Sequence, residues 1–206
     1  MLKSKLLQPD AYDRFIKFNR DNSGAYVDRA YLTNALIRVF FHANDPEHWV
    51  ASYVVNTEAP FRYLSVLTVA KRTDLLRQHG IAEANLAEIT LLSRDRRMNW
   101  TPGEREFYYS MSLWDALRTG RQYILGGTVE EKLAGAQMEV LDHLFYEGEL
   151  DFFGKSKYGW LYYASWFGAL WNALGRVVRL VLNQKAQPAT AGSKPRPTTP
   201  DSIPNN

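Results

Sequence analysis

Apolar positions along this chain change their period several times, and each change marks an element. From Pro9 to about Asn19, Tyr12, Phe15 and Ile16 recur on one helical face. Asp28 stands where an N-cap would start a second helix running through Phe41, with Tyr31, Leu32, Ala35, Leu36, Val39 and Phe40 apolar. Asn44-Asp45-Pro46 ends it. At Trp49 the pattern becomes extended. Trp49 to Val55 and Phe61 to Leu67 read as two strands joined by turn chemistry at Asn56 to Pro60. A charged, helical connection covers Lys71 to His79.

Ala87 to Ser93 reads as a third strand, followed by a loop carrying Arg94, Arg96 and Arg97. A helix is expected from about Pro102 to Arg118; a proline in the first turn loses no hydrogen bond there. Gln122 to Gly127 is a short buried strand, and Val129 to His143 another helix. Strands near Glu149 to Phe153 and from Tyr158 to Ala164 close the order β-α-β-α-β-β that begins at Leu86. Strict alternation puts Glu88, Thr90, Leu92 and Arg94 on one face of the third strand and Ile89, Leu91 and Ser93 on the other.

Trp166, Phe167, Leu170, Trp171, Leu174, Val177, Val178, Val181 and Leu182 then form one continuous apolar helical face, with Asn172, Arg176, Arg179 and Asn183 largely off it. Tyr158 to Gly175 carries no charge for eighteen residues. That run is long enough to raise a membrane span; a strand at Tyr158 to Ala164 and a polar helix face speak against one. The Trp166 to Leu182 face suits packing on the domain, on a partner, or peripherally at a membrane interface. Five of the nine prolines lie beyond about Ala186, mixed with Thr, Ser and Asn, so residues 186–206 are expected to be a disordered tail. The expected organisation is one domain over 1–164, an amphipathic helix over 165–185, and that tail.

Composition narrows the function. The 206 residues suffice for one full core. Net charge is only +3, which does not suit a general nucleic-acid binder. The absence of cysteine excludes disulfides, thiolate catalysis and thiolate metal sites. The four histidines are scattered without metal-ligand spacing, and neither a Gly-x-Ser-x-Gly elbow nor a Gly-x-x-x-x-Gly-Lys loop occurs. No apolar stretch of the signal-peptide kind follows Met1 to Lys5, so a cytoplasmic location is expected. Aromatics are abundant at 14%.

The order of elements, with Glu88-Ile89-Thr90-Leu91-Leu92-Ser93-Arg94 as an acidic strand ending in Ser-Arg and Tyr146-Glu147-Gly148 further on, resembles the GNAT (GCN5-related N-acetyltransferase) superfamily. Within it, the layout is most similar to the branch of acyl-homoserine-lactone synthases and long-chain N-acyl amino acid synthases. The resemblance covers about Pro9 to Ala164. It implies an α/β (α+β) fold: a mixed, mostly antiparallel sheet flanked by helices. The family's glycine-containing pyrophosphate loop is replaced by Arg94-Asp95-Arg96-Arg97-Met98-Asn99. That departure fits an acyl-carrier-protein donor better than acyl-CoA, or a loss of catalysis.

The resemblance implies transfer of an acyl group from an acyl-CoA or acyl-carrier-protein thioester to a small amine or amino acid, without a metal. Glu88 would be general base or amine-orienting group, and Tyr146 the acid that reprotonates the thiolate. Arg94, Arg96 and Arg97, beside the N-terminus of the helix at Pro102, would hold the donor's phosphates, unless they form a solvated basic loop. Gly126 and Gly127 would let the donor arm approach, unless they are a plain turn. Tyr53 and Arg62 would face the acceptor. The surplus of aromatics favours a long acyl chain. The alternative function is a non-catalytic module on the same fold that binds a partner or membrane through its C-terminal helix.

Overall fold

The computed structural model describes residues 1–151 and 155–186, and their backbone forms seven strands and seven α-helices in one open sheet. The order of strands is β1 (Leu2–Leu6), β2 (Leu36–His42), β3 (Asp45–Asn56), β4 (Leu86–Arg94), β5 (Tyr123–Thr128), β7 (Ser156–Ser165), β6 (His143–Asp151). All neighbours are antiparallel except β4 and β5. This is the mixed, mostly antiparallel α/β sheet expected from the sequence.

Helices cover both faces. On the first lie α1 (Tyr12–Ser23), α2 (Arg29–Leu32), α3 (Arg62–Ser65) and α4 (Val69–Gln78), over a core containing Phe15, Leu32, Val39, Val54, Leu64, Leu86 and Leu125. On the second lie α5 (Pro102–Arg118), α6 (Glu131–Met138) and α7 (Trp166–Ala186), over Tyr53, Val55, Ile89, Tyr108, Ile124 and Tyr162. Neighbouring strand residues divide between the two cores, as a pleated sheet requires.

Several expectations are corrected. Leu2–Leu6 is an edge strand paired with β2, where no element was expected. The helix expected from Asp28 through Phe41 stops at Leu32. Asp28 does cap it, its carboxylate accepting from the Ala30 N–H at 2.9 Å, but Leu36–His42 is β2. Ile37, Val39, Phe40 and Phe41 are β-formers, and pairing with β1 and β3 decides the matter. Phe61 to Leu67 holds the one-turn helix α3, not a hairpin strand. α6 is eight residues long, and Leu144–Tyr146 belongs to β6. The strand expected to reach Phe153 is seen as far as Asp151, and residues 152–154 and the tail at 187–206 lie outside the described residues.

α5 matches its expected bounds and has a full capping box: Thr101 Oγ1 accepts the Glu104 N–H at 3.2 Å, and Glu104 accepts the Thr101 N–H at 3.0 Å. α7 packs its inner side on the domain, with Ala169 fully buried and the Trp166 indole donating to the Leu117 carbonyl at 2.9 Å. No helix among the described residues is long and apolar enough to cross a membrane.

Candidate active site

Strand β4 begins as an ordinary strand and is then interrupted. It pairs with β5 only at Leu86–Tyr123, Ala87–Ile124 and Glu88–Leu125, after which the two strands part. On its other flank the pairing with β3 jumps from Val54–Thr90 to Ser52–Ser93. Leu91 absorbs the irregularity at φ +51°, a conformation rare outside glycine. The bulge resets the alternation. Glu88, Thr90 and Leu91 face α1–α4, whereas Ile89, Leu92 and Arg94 face α5–α7. The expectation that Glu88 and Arg94 share a face is therefore corrected.

On the α5–α7 side the fork opens into a cavity of about 510 Å³. Leu92, Leu113, Leu133, Val140 and Leu141 supply apolar wall, Gly126 lies in its floor, and α7 contributes Ala173 and Arg176. Arg94, Arg96 and Arg105 line it together with Tyr109, Trp100 and Gln137. Two buried polar atoms of this lining, Trp100 Nε1 and Gln137 Oε1, have no hydrogen-bond partner among the described residues. Tyr109, Trp100, Gln137 and Arg105 carry no motif that sequence reading could single out. Only the helical face of α5, once placed against β4, brings Tyr109 and Arg105 to the cavity.

The loop between β4 and α5 is pinned from within. Asp95 is buried and accepts from the Arg97 backbone N–H at 3.0 Å and from its guanidinium at 3.0 and 2.8 Å, while its own N–H donates to the Val50 carbonyl. Those Arg97 bonds hold the Asp95 carboxyl at about 2, well below the usual range. Of the three predicted phosphate-binding arginines, Arg97 is thus committed to the loop, whereas Arg94 and Arg96 line the cavity. Arg94 also lies over the Trp100 ring, 6.0 Å from its centroid. The N-terminus of α5 is closed by its own capping box, with the Glu104 carboxylate in front of it. Any phosphate binding there falls to the arginines more than to helix amides.

Gly126 and Gly127 lie inside β5 and not in a turn. Gly126 lines the cavity, and a Cβ there would meet only the end of the Leu141 side chain at 2.6 Å. Gly127 is needed for packing: a Cβ would come within 2.9 Å of the Trp160 carbonyl and 2.6 Å of Leu161. The Gly127 carbonyl accepts from the Tyr63 hydroxyl at 2.7 Å.

Glu88 stands at the base of the fork, fully buried on the α1–α4 side. Its carboxylate accepts from the Tyr31 hydroxyl at 2.7 Å, the Arg62 N–H at 2.9 Å and the Tyr63 N–H at 2.5 Å. It therefore caps α3. Burial raises its pKa, against the opposing pull of those three donors and of the Arg62 charge. Burial beside Glu88 likewise pushes the Tyr31 hydroxyl far up and that of Tyr63 up to about 12. Arg62 shares this corner, its guanidinium donating to the Tyr26 carbonyl at 2.7 Å.

Of the expected site residues only Arg94, Arg96 and Gly126 line the cavity; besides Glu88, Arg62, Arg97 and Gly127, neither Tyr146 nor Tyr53 reaches it. Tyr146 is half-buried in the middle of β6, against the core under α3 and α4; its hydroxyl donates to the Glu149 carbonyl at 3.3 Å, and Lys71 lies over its ring. Tyr53 is fully buried under α5 and donates to Asp115 at 2.6 Å. Asp115 also takes a two-pronged bond from Arg38 at 2.7 and 3.0 Å. Tyr53 belongs to this core network and not to an acceptor surface. No group of three His, Asp or Glu side chains suited to a metal ion is found among the described residues.

No protein-family model matches the sequence, and no curated protein does. Among solved structures, the fold is similar to FeeM, an N-acyl amino acid synthase from uncultured soil microbes, at TM-score 0.63 and 16% identity over 86% of this chain and 97% of that one. It is similar to an N-acetyltransferase from Staphylococcus aureus Mu50 at TM-score 0.54 and 8% identity, covering 81% of this chain and 99% of that one. It is also similar to yncA of Salmonella typhimurium, solved with its cofactor acetyl-CoA, at TM-score 0.51 and 9% identity, covering 80% and 94%. These likenesses show that the fold is the GNAT fold that the sequence order resembles.

Proposed function

We propose that this protein is an N-acyltransferase that moves an acyl group, long rather than acetyl, from a thioester to a small amine. The observation that carries the reading is the parting of β4 and β5 into a cavity with an apolar wall and arginines along its lining. An acyl chain buried against Leu92, Leu113, Leu133 and Leu141 is stabilised by roughly 0.8 kcal/mol per methylene. A thioester with a phosphate-bearing arm meets Arg94, Arg96 and Arg105 on the same lining. The likeness to an N-acyl amino acid synthase supports an amino acid as acceptor, and the acetyl-CoA held by yncA supports a coenzyme A donor. The glycine-free Arg94 to Asn99 loop supports an acyl carrier protein instead.

In the reaction the amine nitrogen bonds to the thioester carbonyl carbon, the carbon–sulfur bond breaks, one amine proton leaves, and the thiolate takes up a proton. Glu88 lies at the base of the fork on the opposite face of the sheet from the cavity, so its part is to hold that corner through the Tyr31 hydroxyl and the Arg62 and Tyr63 N–H groups, not to touch the thioester. Tyr109 replaces Tyr146 as the phenol for the thiolate. The other tyrosine of that turn, Tyr108, is committed to the Ser52 carbonyl at 2.9 Å.

The test is incubation with acetyl- to palmitoyl-thioesters of coenzyme A and of a carrier protein, with mixed amino acids as acceptors. Acylated product and released thiol are read by mass spectrometry. The reading expects N-acyl product with a long-chain donor; no product and no thiol above blank with either donor class overturns it. A non-catalytic module on the same fold is the second reading, favoured by the complete enclosure of Glu88. Binding of a long-chain thioester analogue without turnover would support it.

A further inference from the structure

The outer side of α7 is apolar and uncovered. Phe167, Trp171, Leu174 and Val178 follow one another at i, i+4, i+7 and i+11, which places them on one stripe of the helix. Each is more than half exposed, at 68%, 67%, 52% and 55%. The Phe167 and Trp171 rings stack on each other at 6.4 Å and an interplanar angle of 13°. On the opposite side the described residues are engaged. Ala169 is buried in the core, Asn172 donates to the Val140 carbonyl at 3.3 Å, and Arg176 pairs with Glu106 at 2.9 Å. Nothing about the fold of the domain requires aromatic side chains on the outer stripe.

Two occupants fit poorly. The chain beyond α7, residues 187–206, offers one large aliphatic side chain, Ile203, among prolines and polar residues, too little to cover the stripe. A second copy would need about 800 Å² from each partner for a stable dimer, far more than four partly exposed side chains present. Charge points elsewhere. In its twenty-one residues α7 contains no Asp or Glu, while its sequence contains Arg176, Arg179 and Lys185, and Arg179 is exposed beside the stripe. Past the helix the sequence adds Lys194 and Arg196 against one acid, Asp201. Exposed aromatic and aliphatic side chains beside an exposed arginine, with no carboxylate on the helix, are the chemistry of a surface that sinks into anionic lipid.

We infer that the outer stripe of α7 is a docking surface for an anionic lipid bilayer, with Phe167, Trp171, Leu174 and Val178 seated among the headgroups and Arg179 against their phosphates. The same helix walls the cavity with Ala173 and Arg176, so docking sets the cavity beside the lipid. The inference does not depend on acyl transfer, and its test does not read activity.

The experiment is flotation of the full chain with vesicles of phosphatidylcholine alone or with one-quarter phosphatidylglycerol. The intact chain is expected to float with the anionic vesicles. Phe167→Ser with Trp171→Ser removes two large apolar anchors and is expected to weaken partition about a hundredfold. Arg179→Ala is expected to weaken it about fivefold, on anionic vesicles only. All these side chains are exposed, so melting temperatures stay unchanged, and Trp171→Ala alone gives a milder variant if the double one melts lower. The inference is overturned if the intact chain does not float, or if the variants float equally well. It is also overturned if light scattering shows a dimer that the same substitutions dissolve while no flotation occurs.

Discussion

Glu88 and Arg94 lie on the same strand and face opposite sides of the sheet. The bulge at Leu91 separates them, so one strand serves two compartments: a closed corner under α2 and α3, and the cavity under α5 and α6. Substitutions at the two ends of β4 should therefore fail in different ways.

At the closed corner the expectation concerns stability. Glu88→Gln leaves a side-chain NH₂ facing backbone N–H groups and should cost about 1–3 kcal/mol, and Tyr31→Phe about 1 kcal/mol, in denaturant unfolding. The pH dependence has a definite sign. A carboxyl whose pKa is raised in the folded state contributes fully below its unfolded value, near 4.3, and that contribution is lost as pH rises through the raised value. The advantage of the native chain over Glu88→Gln should shrink upward from about pH 4. If Glu88→Gln suppresses turnover far beyond Tyr31→Phe at matched stability, the carboxylate takes part in the chemistry.

Asp95 shows the reverse behaviour. Its carboxyl is depressed to about 2, so the stability it gives is present above about 3.9 and lost as pH falls toward 2. Asp95→Asn should cost about 1–2 kcal/mol at neutral pH, and the two proteins should converge near pH 2 in acid unfolding monitored by fluorescence.

At the cavity, Arg94→Ala, Arg96→Ala and Arg105→Ala should each raise the KM for a phosphate-bearing donor about tenfold, with kcat little changed. Arg97→Ala should act through the loop: its effect should follow stability and not donor binding, because its guanidinium is held by Asp95.

The paired glycines should separate cleanly. Gly127→Ala drives a Cβ against the Trp160 backbone carbonyl and should cost about 1–3 kcal/mol. Gly126→Ala meets only the end of Leu141, should be far milder in stability, and should weaken binding of a long-chain thioester analogue measured by calorimetry.

Much of this architecture was legible in the sequence where local signals and tertiary context agree. Pro102 at a first turn and Thr119-Gly120 at an end bound α5 correctly, and the apolar period of Trp166 to Leu182 gave α7. Leu36–His42 misled because apolar residues at 36, 37, 39 and 40 satisfy a helical period as well as a buried strand, and only pairing with β1 and β3 decides between them. Phe61–Leu67 is apolar enough for a strand, yet Glu88, distant in sequence, fixes the first turn of α3 by accepting its free N–H groups. The bulge was invisible: Leu91 is not a residue that announces a positive φ, and without it the alternation along β4 is misread from Leu91 through Arg94. Candidate site residues suffered most, because a tyrosine such as Tyr53, Tyr109 or Tyr146 acquires its role from what faces it, which sequence order does not encode.

The short joint between β4 and β5 also has a mechanical consequence. Three register pairs, ending at Glu88 and Leu125, connect a panel of β1 to β4 with a panel of β5 to β7. Behind the joint the panels are tied by the Trp166 indole on Leu117 and by the ion pair of Arg176 with Glu106. The molecule thus has a seam. Hydrogen exchange at the amides of Ala87, Glu88 and Leu125 would report when the two panels part.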